Sequence, residues 1–111
     1  MTDHISNGEI VCYITAPNEA EAVKIARALV ENRLAACANI VNNVRSIYTW
    51  KGAIEDDAEV LMIVKTQKSL FQKLSGKVKE LHSYDVPEII ALPIIDGSEE
   101  YLNWLRESTG R

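Results

Sequence analysis

Apolar residues run almost without a break through "EIVCYITAP", residues 9–17, until a proline ends the run. A continuous apolar stretch of that length suits a strand buried on both faces. The pattern then turns helical. In "NEAEAVKIARALVENR" Asn18 caps the first turn, Glu21 stands three residues on as in a capping box, and Ala22, Val23, Ala26, Leu29 and Val30 share a stripe. "LAACANIVNNV" reads as a second strand. "SIYTWKGAIEDDAEVLMIVKT" reads as a long hairpin turning near Lys51-Gly52, with "EVLMIVK" its buried half. A second helix is expected from about Lys68 to His82 on the stripe Leu70, Leu74, Val78 and Leu81. Gly76 weakens it by about 1 kcal/mol, so packing must hold it. "VPEIIALPII" is a further strand, in which Pro93 marks an edge or a bulge. In "GSEEYLNWLRES" Ser98 caps a last helix, two glutamates occupy its first turn, and Tyr101, Leu102 and Leu105 turn inward.

The order is β-α-β-β-α-β with a closing C-terminal helix, an α+β chain of the ferredoxin-like arrangement with an extended β-hairpin. At 111 residues it is expected to be one domain, residues 10–111, behind a flexible polar tail, residues 1–9. Helices cover one face of such a sheet and leave the other open. These strands are apolar on nearly consecutive positions, so the open face also needs cover, and a second subunit supplies it most simply. An obligate oligomer is expected.

A net charge of −4 disfavours nucleic acid or an anionic membrane as partner. No apolar run reaches the length of a membrane span, and no cleavable apolar segment follows the polar N-terminus, so a cytoplasmic protein is expected. Cys12 and Cys37 lie in apolar strand-like runs, not in metal-ligand spacing, and read as buried reduced thiols, with a disulfide as the minority reading. A phosphate-cradling glycine loop and the zinc motifs H-E-x-x-H and C-x-x-C are missing.

Six stretches in fixed order, "TAPNEAEA", "RLAACANI", "SIYTWKG", "EVLMIVKT", "YDVPEIIALPI" and "YLNWL", resemble one family, the CutA divalent-ion tolerance proteins. The resemblance spans Ile10 to Trp104. It implies a tight homotrimer built like the PII signalling proteins, with the hairpin reaching across to neighbouring subunits. It also implies tolerance to divalent cations, with copper or another divalent cation as the bound ion, and no catalytic reaction. Some members are credited with a copper site made of a cysteine just before T-A-P and two adjacent histidines upstream of Y-x-x-P-E. Those positions fall here on Ile14, Leu81 and His82, so one of the three ligands remains, and a lone imidazole holds copper weakly.

His82 is therefore the first candidate metal residue, beside the simpler reading of a structural histidine, partly exposed, at a helix C-terminus. His4 is a second. If Met1 is removed, "TDH" becomes the amino terminus, and its amine, two amides and imidazole can surround Cu(II) or Ni(II) in a square plane. Lys65, Tyr84, Glu88 and Trp50 are expected to line a cleft between subunits. It would be either a pocket for a small ligand or ion, or the place of a bond such as Glu88 to Lys65. Pro87 fixes the strand start, Trp104 and Trp50 read as packing rings, and Cys37 as a small core residue. Two functions follow. One is a trimeric CutA-like protein of metal tolerance, binding copper weakly. The other is a PII-like regulatory or scaffolding module that binds a small molecule or protein partner in its clefts, with metal effects indirect.

Overall fold

The structure is a computed structural model and describes residues 8–110. Its elements are β1 (Glu9–Ala16), α1 (Glu19–Glu31), β2 (Cys37–Trp50), β3 (Ala53–Gln67), α2 (Phe71–Leu81), β4 (Ile89–Pro93) and α3 (Glu99–Glu107). One four-stranded sheet has the order β2-β3-β1-β4, antiparallel throughout, which is the ferredoxin-like topology. The segments read as a second strand and the first hairpin arm are one strand, β2, kinked by a bulge between Val41 and Val44 where Asn43 adopts φ 65°. The strand β1 begins at Glu9, one residue inside the expected tail.

Helices α1 and α2 lie on one face. There Ile10, Cys12, Ile14 and Ala16 of β1 and Val60, Met62 and Val64 of β3 pack on Ala22, Ile25, Ala26, Leu29, Leu74 and Val78. In α1 the buried stripe includes Ile25, while Val23 and Val30 are exposed, a correction to the expected stripe. Asn18 accepts from the Glu21 backbone N–H as a cap should, but the Glu21 carboxylate points elsewhere. A single 3₁₀ turn, Lys68–Leu70, precedes α2, so that helix starts three residues later than expected.

Among the described residues the other face is covered only at one end. There α3 buries Leu105, and Arg106 bonds the buried Glu9 carboxylate at 2.5 Å. Tyr101, expected inward, is exposed at its edge. The register places Val41, Tyr13, Ile90 and Leu92 on the remainder of this face, and all four are exposed. Only residues 60–67 of β3 pair with β1, so the far arms of β2 and β3 leave the sheet as a two-stranded ribbon. Its turn, Lys51-Gly52, has positive φ at both residues, 51° and 81°, the pattern of a two-residue I′ hairpin.

Candidate functional site

The loop after α2 is fixed by His82. The ladder between β1 and β4 ends at Ile14 and Ile89, and just beyond it the Thr15 carbonyl accepts from His82 Nε2 at 2.7 Å. A carbonyl only accepts, so Nε2 carries the proton and Nδ1 is the acceptor, here taking the Tyr84 backbone N–H at 3.0 Å. Glu21 completes the arrangement, accepting from the Ser83 backbone and hydroxyl at 2.9 and 3.0 Å. The carboxylate stands 3.3 Å from Nδ1. The imidazole is wholly buried, not partly exposed as expected, and ties α1, β1 and the loop together.

These residues do not fit a copper site. Both ring nitrogens of His82 already have partners within the chain. Ile14 is buried in the core under the helices, and Cys12, on that same face, has its thiol pushed up to about 11 by burial. Among the described residues no three His, Cys, Asp or Glu side chains converge as a metal site would require. His4 lies outside the described residues.

With the loop in place, a cleft of about 740 Å³ opens between it, the end of β1 and the ribbon, whose β2 arm lines it from Arg45 to Trp50. Trp50, Tyr84 and Glu88, three of the four expected cleft residues, line it together with Thr15, Tyr48 and Glu59. Lys65 does not. It sits on the open sheet face across from Cys37, its ammonium bonded to Asn39 Oδ1 and 3.9 Å from the Cys37 sulfur, so no bond to Glu88 forms within the subunit. Cys37 is half-buried beside that ammonium, a correction to its reading as a core residue. Pro87 is half-buried at the loop's end, and Trp104 is half-exposed on α3, its ring 5.4 Å from that of Tyr101.

Glu59 is the residue that sequence reasoning missed. It opens the apolar run "EVLMIVK", and a charged group at the head of a buried strand was the available signal. It is 7% exposed, and its Oε2 accepts from the Tyr84 hydroxyl at 2.7 Å. Burial first, and this bond second, raise the Tyr84 phenol far above its ordinary range, so it stays a donor. On the ribbon Tyr48 donates to Asp57 at 2.6 Å, a bond that pushes its phenol up to about 12. Arg45 grips Asp56 through two bonds of 2.8 and 2.7 Å, which hold that carboxyl below its usual range.

The family described as CutA1 divalent ion tolerance protein matches residues 10–108. A divalent-cation tolerance protein CutA of Thermus thermophilus is 57% identical, the match covering 92% of this chain and 99% of that protein. Human protein CutA is 53% identical over 87% of this chain, but the match spans only 54% of the human protein. The solved structure of the Thermus protein superposes with a TM-score of 0.90. That of CutA1 from Oryza sativa gives 0.91 at 45% identity, covering 96% of this chain and 97% of that one. One further neighbour, from Archaeoglobus fulgidus at 44% identity, is described as a periplasmic divalent cation tolerance protein. Sequence, topology and the long ribbon agree on one assignment: the chain belongs to the CutA1 divalent ion tolerance family.

Proposed function

We propose that this protein acts in tolerance of divalent metal ions, as a homotrimer and without catalysing a reaction. The observation that carries the reading is the end-to-end match to a bacterial relative of nearly equal length named for that role. Trimer formation is supported by the bare sheet face of Val41, Tyr13, Ile90 and Leu92, and by a ribbon that exposes Ile47, Trp50 and Ile54. A two-stranded ribbon is marginal in water by itself, and a neighbouring subunit supplies what it lacks. A binding role is favoured over a catalytic one because Cys37 faces Lys65 and Asn39, while His82 is committed to Thr15 and Tyr84. We place the protein in the cytoplasm, in keeping with two free thiols.

The test is growth of a host stripped of its own CutA in rising Cu(II), Zn(II) and Co(II), with and without this chain. Restored growth is the expected result, and growth curves that coincide at every concentration would reject the role. Light scattering on the same protein should return three times the subunit mass of 12.4 kDa. Because the residues around His82 do not form a copper site, His82→Ala is expected to alter growth only as far as it lowers the amount of folded protein.

A further inference from the structure

Two neighbours of His82 Nδ1 make opposite demands on it. In the neutral imidazole this nitrogen carries a lone pair, which accepts the Tyr84 backbone N–H at 3.0 Å. The Glu21 carboxylate, itself an acceptor, stands 3.3 Å from the same nitrogen. Two acceptors thus face each other where the imidazole is wholly buried and the Glu21 side chain only 15% exposed. Poor access to water sharpens that conflict. Glu21 is kept there by Ser83, whose N–H and hydroxyl donate to its Oε2 at 2.9 and 3.0 Å.

A proton on Nδ1 reverses both relations. The approach to Glu21 becomes a charge-assisted hydrogen bond, while at Tyr84 one N–H now points at another. The bond from Nε2 to the Thr15 carbonyl survives, because that nitrogen donates in either state. The ring stays anchored to β1 and exchanges partners on its other edge. Tyr84 must then shift. Its ring lies 4.8 Å from the imidazole, and its hydroxyl donates to Glu59 of β3 at 2.7 Å.

The surroundings single out Glu21. It comes from α1 and, among the described residues, is the one charged group within bonding reach of the imidazole. The strand β1 offers only a carbonyl, and Glu59 of β3 bonds Tyr84 instead of the ring. Lys79 and Glu80 in the last turn of α2, and Asp85 in the loop, are exposed. Every partner belongs to the same chain, so the arrangement holds whatever covers the other face of the sheet.

We propose that His82 is a proton-operated clasp on the loop 83–88. With Nδ1 bare, the clasp holds the Tyr84 N–H and the loop is closed. On acidification water supplies a proton to Nδ1, Glu21 accepts the new N–H, and Tyr84 is released. The loop thereby passes a change of pH on to Glu59 and the cleft wall. This goes beyond the role in metal tolerance and does not depend on it.

The experiment is nuclear magnetic resonance of the full-length protein between about pH 8 and about pH 5, the range in which imidazoles change charge. Ring nitrogen shifts of His82 report which nitrogen holds a proton. Amide exchange of Tyr84, corrected for the intrinsic effect of pH and compared with Ile14 in the core, reports the clasp. Nδ1 is expected to be bare at the upper end and protonated at the lower. Over the same range the protection of the Tyr84 amide should fall by about tenfold while that of Ile14 holds. Glu21→Gln still accepts from Ser83 but offers no charge, so its Tyr84 protection should change by less than about twofold. His82→Gln can still donate to Thr15 and does not titrate, so it should be equally flat. Should His82→Gln fail to fold, Glu21→Gln decides alone. Nδ1 in one protonation state throughout would overturn the proposal. So would constant protection of Tyr84 in the parent protein, or a loss that persists in Glu21→Gln, as separation of subunits in acid would give.

Discussion

His82 stands where three segments meet, and its contribution can be measured. Replacing it with alanine leaves the Thr15 carbonyl and the Tyr84 N–H without their partner and opens a void under α1. We expect His82→Ala to cost about 2–4 kcal/mol in urea unfolding. Cys12 provides a second test, through pH. Its thiol rises from the ordinary 9.0 to about 11 in the folded chain. Below pH 9 both states keep the proton and nothing changes. Between pH 9 and about 11 the unfolded chain ionises first, so stability falls as pH rises, by at most about 3 kcal/mol, and the loss then levels off. Cys12→Ala should lack that component when the two proteins are unfolded side by side across the window. Caps such as Asn18 and Ser98 were legible in the sequence because each bonds an N–H only three residues away. Glu59 and Thr15 were not, since what places them on one wall is a strand register between distant segments.

At the level of elements, hydrophobic periodicity identified every helix and strand, and it erred where neighbours decide. Ala22, Ile25, Ala26 and Leu29 follow the i, i+3, i+4, i+7 rule, whereas Val23 and Val30 sit one step round the helix and stay exposed. The second strand and the hairpin read as separate units because the polar pair Asn42-Asn43 interrupts the apolar pattern. In the fold a bulge absorbs that pair and the strand continues. Pro93 indicated an edge or a bulge, and β4 is an edge strand. The turn gives an element-scale prediction. Lys51 holds φ 51°, a conformation that asparagine adopts more readily than lysine. Lys51→Asn should therefore stabilise the protein by about 0.5 kcal/mol, seen as a higher urea midpoint with unchanged slope.

For the whole molecule, the sequence indicated that the sheet needed cover on both faces, and the fold shows how little of the second face α3 supplies. Trp50 is 43% exposed in the subunit, on the ribbon and at the rim of the cleft. If that ring anchors a neighbour, Trp50→Ala should raise the concentration at which the oligomer dissociates by about a hundredfold, corresponding to roughly 3 kcal/mol. Mass measured across a dilution series checks it, and an unchanged dissociation midpoint would place the ring outside the interface. The sequence could not show which residues face the cleft, because the cleft is built from three segments that only the closed sheet brings together.

The ribbon also has a consequence in time. Residues 44–50 and 53–59 pair with each other and, among the described residues, with no other strand of their own chain. The central sheet can form within one chain; in the proposed trimer the ribbon becomes durable only on encounter with another. Its backbone amides should then exchange with solvent in a concentration-dependent way, while those of Cys12, Ile14, Met62 and Val64 exchange at rates indifferent to dilution. Hydrogen exchange at two protein concentrations would separate the two populations and time the last step of folding by the meeting of molecules.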